Sequence, residues 1–109
     1  MTDLQAIRTE CRRLSAELEG QPHWEELRRI YLELAPLMGE LQGAVSASIR
    51  ERGAAQPLQQ QLEELKTTVR QVGLDIRLAS EGALAMGLRV SLERAEELLD
   101  RLEQAEQEG

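Results

Sequence analysis

Apolar positions recur at helical spacing along nearly the whole chain. Leu4, Ile7, Cys11, Leu14 and Leu18 follow one another at intervals of three and four residues, which puts all five on one face of a helix of about four to five turns. Ahead of them, Thr2 followed by Gln5 has the form of a capping box. Glu19-Gly20-Gln21-Pro22 then breaks the pattern. Gly suits a helix C-terminal cap and Pro the first position of the next helix, so a tight helical hairpin is predicted.

The second stripe runs Trp24, Leu27, Tyr31, Leu34, Met38, Leu41, Val45 and Ile49, joined by Ile30 and Leu37. Glu25 and Glu26 fall in its first turn, where carboxylates meet the positive end of the helix dipole. Pro36 lies inside the run, and Gly39 and Gly43 soften the same region. Because the stripe keeps its phase across the proline, one helix kinked near Leu32 to Pro36 is expected rather than two.

Arg52-Gly53-Ala54-Ala55-Gln56-Pro57 reads as a linker ending in a helix-starting proline. Beyond it Leu58, Leu62, Leu65, Val69, Val72, Ile76, Ala79, Ala83, Met86 and Val90 hold an unbroken heptad spacing, the strongest periodic signal in the chain. After Val90 that phase meets Glu93 and Glu97, while Leu88, Leu92, Ala95, Leu99 and Leu102 form a second stripe. The buried face must therefore rotate. Gly82 and Gly87 lie at the change, and Ser91 is a candidate cap for a final helix, so a bend or short break is expected between residues 80 and 91. The polar tail from Glu103 to Gly109 is expected to fray. The pattern as a whole predicts one all-α domain over residues 1–109, an antiparallel bundle of three to four helices with a long third helix. The expected helices are approximately 2–19, 22–51 (kinked at Pro36), 57–80 and 83–105.

Composition sharpens the picture. The chain has 109 residues and is 41% hydrophobic, but only 2% aromatic, with no Phe. Leu and Ala must fill the core, and a chain this short buries only a modest one. The net charge of −7 comes from 13 basic and 20 acidic residues, and the basic ones are scattered, which argues against a nucleic-acid surface. No apolar stretch reaches the roughly 18 residues of a membrane span, and the first ten residues lack a signal-peptide pattern. A cytoplasmic protein is expected.

Candidate chemistry is sparse. Cys11 is the only cysteine and His23 the only histidine, so a Cys-based zinc site, a multi-histidine metal site and an internal disulfide are all excluded. No Gly-rich phosphate loop is present. The carboxylates lie beside arginines, as in Glu25-Glu26 with Arg28-Arg29, the look of solvated helix faces. No catalytic, cofactor or metal site is expected.

Binding is the better prospect. Trp24 and Tyr31 are the only aromatics. With Leu27 they form either a local core plug or an anchor for a partner. The segment Leu78 to Leu88 carries apolar residues all round and one charge, so it must be covered on every side, by the chain itself or by a partner. Leu84, Met86 and Leu88 cannot all face one neighbour, so at least one of them is expected to be exposed. Val69, Val72, Ile76 and Met86 form a seam longer than the first helix, about 23 Å, can cover, which suggests self-association into a homo-oligomer. Trp24, Leu27, Tyr31, Ile76, Leu84, Met86 and Leu88 are the candidate partner-binding residues.

The order of a short heptad helix, a turn, His23-Trp24-Glu25-Glu26-Leu27 opening a second helix, a linker, and a third helix beginning Leu58-Gln59-Gln60-Gln61-Leu62 resembles the FliT-like flagellar export chaperones over roughly residues 4–79. The Gly-containing apolar stretch from Gly82 to Leu88 departs from that pattern. The resemblance implies a bacterial cytoplasmic chaperone that shields an amphipathic segment of an export substrate between its helices. The alternative is an obligate coiled-coil oligomer acting as a scaffold or adaptor, which would leave no groove open.

Overall fold

Leucines at three- and four-residue intervals fold the chain into four helices. The computed structural model describes residues 4–20, 22–52, 56–76 and 80–108. The helices are α1 (Leu4–Glu19), α2 (Trp24–Arg52), α3 (Gln56–Asp75) and α4 (Glu81–Glu108), with no strand among the described residues. Thr2 of the expected capping box, Gly53 to Ala55 of the expected linker, and Leu78 and Ala79 of the apolar segment lie outside the described residues.

The first two helices follow the apolar pattern closely. α1 buries Leu4, Ile7, Cys11, Leu14 and Leu18, and α2 buries Leu27, Ile30, Leu34, Leu37, Leu41 and Val45. α2 runs through Pro36 as one helix. Pro36 is exposed and Leu32 is 68% exposed, so the carbonyl that the proline leaves without an amide partner lies on the face that water reaches.

The third helix is not the long one. It has 20 residues, against 29 in α2 and 28 in α4. The reason is local: Ile76 is already in a turn, and Ser80 caps a new helix. Its hydroxyl accepts the Ala83 amide at 3.2 Å and its carbonyl the Leu84 amide at 3.0 Å. Ser91, the cap expected from the sequence, lies instead inside α4, where its hydroxyl donates to the Gly87 carbonyl at 2.8 Å.

The heptad phase carried over from α3 is accordingly abandoned. Ala83 and Met86 are exposed and Val90 half-buried, while Leu84, Leu88, Leu92, Ala95, Leu98, Leu99 and Leu102 enter the core. Leucine buries more apolar area than alanine or glycine, so once the turn frees α4 to choose its rotation, its leucine face wins.

The helices run up, down, up, down. α4 touches α1, α2 and α3, α2 also touches α1 and α3, and α1 and α3 do not meet. The cross-section is therefore a rhombus with the parallel pair α2 and α4 on its short diagonal, and the bundle measures 43 × 23 × 17 Å. Charges hold the register at the rim. Arg8 donates to Asp100 at 2.8 Å and to Glu103, and Arg12 lies 3.7 Å from Glu96, tying the start of α1 to the end of α4. Partial burial works against the Arg8 charge, but the two carboxylates outweigh it and raise its pKa above the ordinary arginine value. Between α1 and α2, Arg13 meets Glu33 at 3.2 Å and Arg29 meets Glu17 at 3.1 Å.

Two kinds of outer-face substitution follow. A Cβ added at Gly39 or Gly43 meets nothing within 4 Å, so Gly39→Ala and Gly43→Ala should each raise stability by up to about 1 kcal/mol. Pro36→Ala should raise it further, with about 3 kcal/mol of intrinsic penalty at stake. Urea-unfolding midpoints are the measurement, and a lower midpoint for Pro36→Ala would mean that packing requires the proline.

Candidate functional site

Gly87 sets the spacing between α3 and α4. A Cβ placed there would lie 2.8 Å from Cγ2 of Val72, so only glycine admits the two helices at this distance. Valine is buried and stiff at this position. Beside the crossing, the small residues Ala83 and Gly87 and the short Val90 on α4 leave a cavity of about 370 Å³, with Thr68 and Val72 forming the opposite wall and Leu84 below. The Thr67 and Thr68 hydroxyls donate to the carbonyls of Glu63 and Glu64, each at 2.9 Å. Their hydroxyl protons are thus committed to their own helix, and the wall is largely apolar.

Arg94 closes one end of this groove. Its guanidinium donates to the Thr68 hydroxyl at 2.7 Å and reaches the Glu64 carbonyl at 3.5 Å. Beyond it a second cavity of about 380 Å³ is lined by Gln61, Glu64, Val90, Glu93, Arg94 and Glu97. Val90 and Arg94 border both cavities, so the two lie end to end along α3 and α4 as a furrow that Arg94 crosses, apolar on one side of it and acidic on the other. The Gln61 Oε1 is buried in this second part without a hydrogen-bond partner.

The seven residues singled out from the sequence do not share one surface. Leu27 and Leu88 are fully buried, and Leu84 is 1% exposed. As core side chains they are not available on the outside, which corrects the expectation that Leu84 is a free docking residue. Leu84 points inward because α4 packs its leucine face on three helices. Met86, by contrast, is 64% exposed, as is Leu74. Trp24, Tyr31 and Ile76 are half-buried and pack against the core. Tyr31 lies over Gly73, where an added Cβ would be 2.5 Å from its hydroxyl oxygen, and His23 lies 3.6 Å from Glu81. These three residues belong to the end of the bundle where α2 and α4 start and α3 finishes.

Arg94, Thr68 and Gln61, which the sequence reading did not select, shape the furrow. Their signal is weak in one dimension. Ala83, Gly87 and Val90 are small residues on one face of α4, but a groove appears only once α3 is set against them.

Reactive groups are few. Cys11 is fully buried, and burial, helped by Glu96, pushes its thiol up to about 11 from 9.0. Among the described residues no group of three or more His, Cys, Asp or Glu is arranged to hold a metal ion. No helix is long and apolar enough to cross a membrane. Fold and furrow together define a small all-α four-helix bundle with a surface groove. No protein family, curated protein or solved structure matches this chain.

Gly87→Ala should lose stability. The helix gains about 1 kcal/mol from the new side chain, but overpacking against buried Val72 costs roughly 1–3 kcal/mol. In a Val72→Ala background the same change should become neutral or favourable, and a double-mutant cycle without such coupling would contradict the close approach. Cys11 should resist alkylation in the folded chain. Because its folded pKa is raised, its contribution to stability is present below pH 9 and lost as the pH rises towards 11. Rapid labelling at neutral pH under native conditions would contradict its burial.

Proposed function

We propose that this chain is a protein-binding helical module rather than an enzyme, and that it acts as an export chaperone shielding an amphipathic segment of a client protein. The observation that supports this reading is the apolar groove between α3 and α4, which stays open when a single chain folds. Met86 on α4 and Leu74 on α3 are large apolar side chains that are also left exposed on the two helices that form the groove. Exposed apolar surface of this kind is costly unless something covers it. The resemblance to FliT-like chaperones in the Trp24 to Leu27 step points the same way, and a cytoplasmic location in a bacterium would accompany it. Half-buried Trp24, Tyr31 and Ile76 offer a second contact for a client.

Covering of the groove by a second copy of this chain, as a coiled-coil scaffold would require, is the competing use of the same surface. The stripe from Leu58 to Val72 is already spent on the chain's own core, so only the flank around Met86 is left for it.

The test titrates an amphipathic helical peptide into methyl-labelled protein. Saturable shifts at Val72, Leu84 and Val90 are expected, with weaker binding by Ala83→Glu. That variant should keep its stability, because Ala83 is exposed and in the first turn of α4, where a carboxylate suits the helix dipole, while the added charge spoils the apolar wall. Shifts confined to other helices, or shifts that grow with protein concentration alone, would defeat the chaperone reading.

A further inference from the structure

The two ends of the furrow differ in chemistry, and that difference specifies what fits it. At the acidic end, Glu64, Glu93 and Glu97 have no ion pair with a described residue, although their sequence neighbours Glu63 and Glu96 are matched by Lys66 and Arg12. Arg94, the nearest cation, is turned to the Thr68 hydroxyl and the Glu64 carbonyl instead. Three carboxylates thus border one cavity against the single guanidinium of Arg94, and among the described residues none of the three is ion-paired; the Oε1 of Gln61, which also lines the cavity, has no hydrogen-bond donor. Cationic donors from a partner would offset the excess of negative charge. The apolar end, around Val72, Ala83, Gly87 and Val90, accepts aliphatic side chains.

Resting on the reading of this groove as a client site, we infer that its occupant is an amphipathic helix of another protein, with aliphatic residues on one face and Arg or Lys about two turns further along. The register comes from α4 itself. From Gly87 to the midpoint of Glu93 and Glu97 is eight residues, or about 12 Å at helical rise, and the furrow from Ala83 to Glu97 is about 21 Å long, room for about four turns of a partner. A second copy of this chain is a poor occupant. The chain carries a net charge of −7, and like charges set against an acidic cavity repel.

The experiment uses three designed helical peptides of about 18 residues with the same aliphatic face, differing only in whether Arg, Gln or Glu occupies the positions two turns beyond it. Binding to the full chain is read by methyl shifts and calorimetry at low and physiological salt. The Arg peptide should bind tightest and the Glu peptide weakest, with the Arg affinity falling as salt rises. Glu93→Gln/Glu97→Gln should weaken the Arg peptide by about fivefold, two partly exposed pairs being lost, and leave the Gln peptide unchanged. Glu25→Gln/Glu26→Gln, on the first turn of α2, should change neither. Equal binding of all three peptides, with shifts still at Val72 and Val90, would overturn the basic-partner inference and leave the groove reading standing. Binding of none, or an Arg-peptide affinity untouched by Ala83→Glu, would overturn both.

Discussion

The contact on which the rest of this bundle depends is the leucine face of α4, buried against α1, α2 and α3 at once. α1 and α3 do not meet, so these outer helices are joined only through the central pair α2 and α4, of which α4 makes the larger contact with each. A helix asked to cover three neighbours needs a wide apolar face, and α4 supplies it with leucines at 84, 88, 92, 98, 99 and 102. Each fully buried leucine contributes roughly 1.5–3 kcal/mol. With almost no aromatic residues elsewhere, this row and its partners on α2 carry most of the hydrophobic stabilisation. The price is that the small-residue face of α4 is left to the outside.

That consequence links packing to function. Rotating the leucines inward turns Ala83, Met86 and Val90 outward, and glycine at 87 lets α3 come close enough to make the far wall of a groove. The surface is thus a by-product of satisfying the core, not a separate insertion or loop. It sits on two packed helices, so its shape is held by the same contacts that hold the fold, as a rigid binding surface requires.

The polar groups lead to the same place. Arg8, Arg12, Arg13 and Arg29 make rim pairs between helices, such as Arg8 with Asp100 and Glu103, and surface pairs of this kind add little stability individually. The reactive side chains are spread apart: Cys11 is sealed in the core and His23 stands at one end of the bundle. The furrow joins an apolar wall to a cavity where three carboxylates face one guanidinium, which is the arrangement on which the proposed binding of another protein rests.

Much of the architecture was legible from the sequence, because helix formation depends on spacing that a single chain displays. The apolar stripes of α1 and α2 and the continuity of α2 across Pro36 were legible there, although α2 starts at Trp24 and not at Pro22. The rotation of the buried face near Gly82 to Leu88 was legible too, though the place of the break was not. Heptad spacing continues across Ile76 whether the chain goes straight or turns back, and Ser80 is one polar residue among several. Only the tertiary structure decided that the turn lies there, that Leu84 and Leu88 are core while Met86 is outside, and that Gly87 faces Val72. Periodicity reports which residues of one helix share a face. Which face is buried, and what stands opposite it, depends on contacts between helices far apart in sequence.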